Sequence, residues 1–209
     1  VLMNLAQDHQ PQKAYDPRAL DDAELGLADR WIRSRLASTV REARAAIDGY
    51  RFNDYANVLY QFTWHEFCDW YIEMSKLSLN ATGGDDPERS RRILVEVLEQ
   101  ILLLLHPIMP FVTEEVWQVL GDGRGTIMLQ KYPAVNPNWI DAETEGQMDY
   151  LMGVVRAIRN LRGELNCPPA KQIKVIFHGS DGDLAFLGAQ MPYVRALARV
   201  GSADYLASG

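Results

Sequence analysis

The chain has 209 residues, 47% hydrophobic and 23% charged, with a formal net charge of −7. That is the composition of a globular protein with room for one large domain and a smaller one. Its longest strongly apolar run, Ile101–Leu105, is too short to span a bilayer, and the acidic balance excludes a sequence-blind nucleic-acid coat.

The charge is uneven, so a local basic surface remains possible. Asp8–Asp29 holds six acidic and two basic residues, whereas Gln147–Lys174 holds five basic and two acidic. Val1-Leu2-Met3 shows no basic stretch or cleavage pattern of a secretory leader and no initiator methionine, so a piece of a longer protein is expected. Cys68 and Cys167 lie far apart in no pair motif, which suggests reduced thiols and a cytoplasmic setting.

Asp21 and Asp22 open a helical pattern in which Leu25, Ile32, Leu36, Val40, Ala43 and Ile47 repeat at steps of three, four and seven. Arg30, Arg33, Arg41 and Arg44 flank it, and Gly49 ends it. Tyr50-Arg51-Phe52 turns into a second helix, capped by Asn53, that runs to about Leu79. Asn80–Asp86 is a Gly/Asp-rich loop, and Asp86-Pro87 starts a third helix that carries Ile93, Leu94, Val97, Leu98, Ile101, Leu102 and Leu105. Pro107 stops it. A short fourth helix, Thr113–Leu120, ends at Gly121.

Four apolar-striped helices with short loops read as a bundle over residues 1–125. Residues 126–146 form an irregular connector with a short extended piece at Thr126–Leu129. Residues 147–209 then give a long helix with Met148, Leu151, Val154, Ile158, Leu161 and Leu165 on one side, ended by Asn166-Cys167-Pro168-Pro169. A strand at Gln172–His178 and a helix over Asp183–Val200, kinked or divided by Pro192, complete a small α/β appendage.

The stretch His65–Lys76, HEFCDWYIEMSK, concentrates the chemistry. His65, Cys68 and Asp69 have helical metal-ligand spacing, but no second ligand cluster exists to complete a site, so no metal is expected. Gly83-Gly84 and the glycines of 121–125 lack the strand and lysine of a phosphate loop. On a uniform helix Glu66, Asp69 and Glu73 share a sector with Tyr55, Val58, Leu59 and Phe62. Acids in line with an apolar stripe need partners. Either arginines of a neighbouring helix pair with them, or this end of the stripe lines a groove where they accept hydrogen bonds from base amines.

Trp64, Phe67, Trp70 and Tyr71 spread around the helix and cannot all face the core, so at least one meets a ligand or partner. On the long C-terminal helix Arg156 and Asn160 lie opposite the apolar side, with Arg159 and Arg162 at its flank. They form either a solvated face or a phosphate-contacting ridge.

These residues stand in a recognisable order. ADRWIRSRL (Ala28–Leu36), YRFND (Tyr50–Asp54), HEFCDWYIEMSK, LLHPIMPFVTEEVWQ (Leu104–Gln118) and VVRAIRNLRGELNCPPAK (Val154–Lys171) closely resemble the C-terminal region of the bacterial valyl-tRNA synthetase family, from Val1 to roughly Phe177. FCDWYIE and AIRNLR favour the valyl type over its isoleucyl and leucyl relatives. The resemblance implies a mainly α fold, a helical-bundle anticodon-binding domain of a class I synthetase, followed by the start of a small α/β subdomain.

It further implies valine tRNA as partner, together with catalytic and editing domains of the same polypeptide, and neither membrane nor DNA. The whole enzyme would attach valine using ATP and magnesium. The resemblance implies no catalytic residue and no cofactor in this region, and the family's coiled-coil arm is absent from it. Valine anticodons place adenine and cytosine where acidic acceptors can read exocyclic amines. Glu66, Asp69 and Glu73 are therefore the candidate readers, Phe67 or Trp70 the candidate stacking ring, and Arg51, Arg156, Arg159, Asn160 and Arg162 the candidate anchors. The rival reading is a helical docking module that binds no RNA.

Overall fold

The computed structural model describes residues 25–80, 87–121 and 125–207, and it divides into two compact units, one up to Thr144 and one from Glu145.

The first unit is built around α1 (Leu27–Asp48). Trp31, Ile32, Leu36, Ala37, Val40 and Ala43 are all buried, and so are Arg33, Ser34, Ser38 and Thr39 between them. A helix buried on most of its circumference is surrounded by other elements. Around it pack α2 (Phe52–Tyr60), a π-helical segment (Gln61–Tyr71) and α4 (Pro87–Leu105), while α3 (Ile72–Leu79) packs on α4. The elements α2, π segment and α3 follow one another without a break and form a single rod.

Gly49 ends α1 as its spacing predicts, its N–H bonding Ala45 O at 3.2 Å. The reversal is then made by Tyr50, whose φ of +56° lies in the left-handed region. The predicted cap, Asn53, is not the cap: the rod starts at Phe52 with Arg51 at the cap position, two residues earlier, and no side-chain cap bond. Pro87 opens α4 as predicted; the capping roles foreseen for Asp86, Asp21 and Asp22 lie outside the described residues.

Two polar clamps cross the interior of this unit. Arg33 donates from Nε and Nη2 to Glu96 Oε2 at 3.0 and 2.7 Å, with both side chains buried. The Tyr71 hydroxyl donates to Asp29 at 2.7 Å, also in the interior. Such pairs add little net stability over apolar packing, but losing one partner strands a buried charge. They fix the register of α1 against α4 and against the rod.

The fourth predicted helix starts earlier than Thr113. α5 (Pro110–Val119) has proline in its first turn, where no N–H bond is lost. The short extended piece expected at Thr126–Leu129 is instead a 3₁₀ turn (Ile127–Leu129), because the Thr126 hydroxyl accepts from Met128 N. Ile127 joins Leu102 and Trp117 in a small buried cluster.

The connector is tied down onto α1. Arg44 donates to Pro133 O at 2.8 Å, its guanidinium lies 5.6 Å from the Tyr132 ring, and Asp141 N donates to Ser34 Oγ at 2.9 Å. A second 3₁₀ turn (Pro137–Trp139) puts the Trp139 ring 4.9 Å from the Arg33 guanidinium. The Tyr132 hydroxyl meets that of Tyr55 at 3.1 Å, and Tyr55 also donates to Leu104 O.

In the second unit α6 (Ala142–Glu164) leads through Asn166, at φ +50°, into β1 (Ile173–Gly179). The predicted final helix is two helices, α7 (Asp181–Ala189) and α8 (Met191–Ala198), divided just before Pro192. Ser180 caps α7 by accepting from Asp183 N. Arg199, at φ +56°, turns the chain directly into β2 (Val200–Ala207), which pairs in parallel with β1. The α/β character of the appendage is as the sequence suggests. β2 has no sequence signal of its own, because Gly201, Ser202 and Asp204 weaken any strand pattern.

On α6 the buried row is Met148, Leu151, Val155, Ile158 and then Arg162. Leu161 and Leu165, predicted for the apolar side, are exposed, because Arg162 occupies the last position of that row.

Candidate nucleic-acid interface

The π segment decides which side chains of the rod reach solvent. On a uniform α-helix the stripe of Tyr55, Leu59 and Phe62 continues through positions 66, 69 and 73. In the structure it continues through Phe67, Trp70 and Met74, each one residue later and each buried. A π turn closes i to i+5 bonds and accommodates one residue more than an α turn, so the face slips by one position.

The slip corrects the expected placement of the three acids. Rather than interrupting the apolar stripe, they are turned outward from it: Glu66 is partly buried, while Asp69 and Glu73 are exposed. It also corrects the stacking ring. Phe67 and Trp70 are buried at 2% and 6% exposure, Phe67 stacks on Tyr71 at 6.0 Å, and neither ring presents a face to a ligand.

Around the start of the π segment the exposed rings are Trp64 and Tyr60, four residues apart and half exposed; at the start of the rod Phe52 and the preceding Tyr50 are exposed as well, edge-on at 6.5 Å. Trp64 is the member of the aromatic set that faces outward. Tyr60 was not singled out by the sequence, although it lies before the slip and ordinary helical spacing already sets it off the Tyr55, Leu59 and Phe62 stripe. The Tyr60 ring meets the His65 ring edge-on at 5.5 Å. Asn57, Gln61, His65, Asp69 and Glu73 follow at steps of four and are all exposed.

The three acids differ in how firmly they are held. Glu66 receives both Nε and Nη2 of Arg35, at 2.9 and 3.0 Å, a planar fork that fixes both oxygens. Here the arginine of a neighbouring helix does pair with the acid, as one of the two readings expected. Asp69 meets His65 at 3.2 Å and Glu73 meets Lys76 at 2.5 Å, on their own rod and at the surface. Exposed pairs of that kind cost little to exchange for another donor.

Arg51 is exposed at the start of the rod, 3.2 Å from Asp54, and its Nη2 donates to Ala45 O. With Glu42, Asn57 and Val58 it lines a shallow hollow of about 360 Å³.

In the second unit Arg156, Arg159 and Asn160 are exposed on α6, and Arg159 Nε donates to Leu197 O at 2.9 Å. Arg162 is not an outward anchor. It is buried, and it donates to Lys171 O at 2.8 Å, Pro168 O at 2.9 Å and Pro169 O at 3.4 Å, holding the Cys167–Lys171 turn against α6.

Among the described residues there is no group of three or more His, Cys, Asp and Glu placed to hold a metal. Cys68 is partly buried and its thiol pKa is raised, first by that burial and then by the neighbouring Asp69 charge. Among the described residues no helix is long and apolar enough to cross a membrane.

Residues 29–177 match the anticodon-binding domain of tRNA ligases. The chain belongs to that family. The matched region of this anticodon-binding domain runs from the first turn of α1 into β1 and includes the whole rod and α6. Valine–tRNA ligases are among the relatives. That of Syntrophotalea carbinolica is 43% identical over 214 residues, covering 100% of this chain and 23% of the relative. That of Geobacter sulfurreducens is 44% identical, covering 96% and 22%, and that of Lactobacillus johnsonii 41%, covering 93% and 22%. The chain thus spans less than a quarter of the length of these relatives, in a region whose helical architecture fits an anticodon-binding domain followed by a small α/β part.

Proposed function

We propose that this chain is the part of a valine–tRNA ligase that grips the anticodon stem-loop of valine tRNA. The enzyme's other domains, outside this chain, would attach valine with ATP and magnesium in the cytoplasm. The observation that carries the reading is the outer face of the rod. Two half-exposed aromatic rings, Trp64 and Tyr60, stand beside exposed acceptors Asp69 and Glu73 on a helix of the anticodon-binding family.

Unstacked loop bases are recognised by stacking on such rings and by hydrogen bonds to their edges. In this reading Trp64 takes the stacking role first sought in Phe67 or Trp70. Asp69 and Glu73 accept from the exocyclic amines of adenine and cytosine, releasing His65 and Lys76 toward phosphate. Glu66 keeps its arginine and shapes the edge of the face. Arg51 on the first unit, and Arg156, Arg159 and Asn160 on the second, contact the backbone.

The test is a gel shift of the chain with valine tRNA and with a copy mutated in the anticodon, over a salt series. The expected result is tighter binding of the native tRNA, weakening steeply as salt rises, with the preference reduced in Trp64→Ala and in the double change Asp69→Ala, Glu73→Ala. Equal binding of both RNAs by all variants would sink the base-reading role. No binding at any salt would favour the docking module.

A further inference from the structure

The corner between α4 and α5 carries a surface outside the face proposed for RNA recognition. Pro107, Ile108, Met109, Pro110, Phe111 and Val112 are all exposed, six consecutive residues without a polar side chain, and Phe111 is 87% exposed. A run of that length facing water is a liability in a folded protein unless something covers it.

The corner is also held firmly. His106 Nδ1 lies 2.8 Å from the hydroxyl of Thr113, which in turn donates to Met109 O at 2.8 Å. Ile108 N and Met109 N both donate to Leu105 O, at 3.1 and 2.9 Å. Alongside, Glu114 accepts from Thr126 Oγ1 at 2.7 Å and Ile127 N at 3.1 Å, fixing the 3₁₀ turn that exposes Met128 and Leu129. The apolar groups are therefore presented by a preorganised scaffold, which lowers the ordering cost of association.

The chemistry selects the occupant. No lysine or arginine lies between His106 and Gly121 in the sequence, so the corner's own segment offers no cation to a phosphate backbone or an anionic membrane. What fits is an apolar protein face. The valine–tRNA ligase relatives are more than four times the length of the matched region, so on that reading a large tethered polypeptide is available to cover the corner. A tethered face acts at high effective concentration and outcompetes a second copy in free solution.

We propose that the Pro107–Val112 corner is the docking surface for another domain of the same longer polypeptide; this rests on the reading of the chain as part of such a ligase. Hydroxyl-radical footprinting of the chain and of the full-length protein, without tRNA, tests it. Met109 and Phe111 are expected to oxidise about fivefold or more slowly in the full-length protein, as at a water-excluding interface core. Phe111→Ser should leave the unfolding midpoint of the chain alone unchanged and restore fast oxidation of Met109 in the full-length protein.

Equal oxidation in both proteins would overturn the docking surface. So would protection in the chain alone that grows with protein concentration, since that marks a second copy as the occupant. Valine-tRNA affinity measured on the same full-length sample keeps the two readings apart. An unprotected Phe111 in a protein that still shifts the tRNA removes the docking surface and leaves RNA recognition standing.

Discussion

The two long helical rods, Phe52–Leu79 in the first unit and α6 in the second, were read from sequence by the same rule and respond to it differently. On α6 the buried row keeps α-helical steps of three and four from Met148 to Arg162. On the first rod the row holds until Phe62 and then slips by one residue across the π segment. Phase decides which side chains are buried and which reach solvent. Composition is similar on both sides of the slip, but one position moves Phe67 into the core and leaves Asp69 outside it.

The strongest test of that contrast is deletion. Removing Gly153 from α6 rotates everything after it by about 100° relative to everything before it, taking Val155 and Ile158 out of the buried row. The second unit is expected to lose cooperative unfolding. Removing Thr63 from the π segment should do the opposite of damage to phase. It restores an i to i+4 step between Phe62 and Phe67, and it discards a buried hydroxyl with no hydrogen-bond partner. We expect that variant to stay folded with a loss within about 2 kcal/mol, read by urea unfolding and circular dichroism. If both deletions unfold their units alike, the slip is not a one-residue insertion.

Point changes sharpen the same contrast. Phe67→Ala should cost about 3–5 kcal/mol of stability, the range for a large buried side chain. Trp64→Ala, three residues earlier, should stay within about 0.5 kcal/mol while weakening tRNA binding. On α6, Arg162→Ala strands the carbonyls of Pro168 and Lys171 and should cost about 2–3 kcal/mol. Arg156→Ala should leave stability nearly unchanged and reduce the salt slope of RNA binding by roughly one. Urea midpoints and a salt series on these four variants separate core from surface.

Much of the fold was legible because four stripes with α-helical spacing, a Pro87 start and a Gly49 stop each have a local cause. The π segment has none that a helical wheel detects. Gln61-Phe62-Thr63-Trp64 is unremarkable as helix, and the extra residue shows itself through the five-step from Phe62 to Phe67. Arg162 was hidden for another reason: an arginine at a stripe border reads as surface until the carbonyls of the following turn are placed around it. Of the candidate residues, two rings, Phe67 and Trp70, and one arginine, Arg162, lie in the interior rather than on an outer face. The two rings were displaced by the phase of the backbone and the arginine by the turn folded onto it, and neither cause lies in residue chemistry.

The smallest expected effect concerns how the two rods begin. The first starts at Arg51 with no side-chain cap bond, whereas α6 starts behind Asp141. Asp141 Oδ2 accepts the Thr144 hydroxyl at 2.6 Å and Oδ1 accepts Thr144 N at 3.0 Å, in the geometry of a helix N-cap. These bonds, the hydroxyl bond foremost, hold its carboxyl below the ordinary value of 3.8. A carboxylate with a depressed folded pKa contributes stability that is present above the unfolded value and lost as pH falls through the folded one. Asp141→Asn should therefore lower the urea midpoint slightly at neutral pH, and its difference from the parent should shrink once the pH drops below that of an ordinary aspartate. A matching change at the uncapped end, Asn53→Ala, should show no such pH dependence. If the Asp141→Asn difference instead persists undiminished in acid, the cap acts through its neutral hydrogen bonds, and the charge at the start of α6 has no separate role.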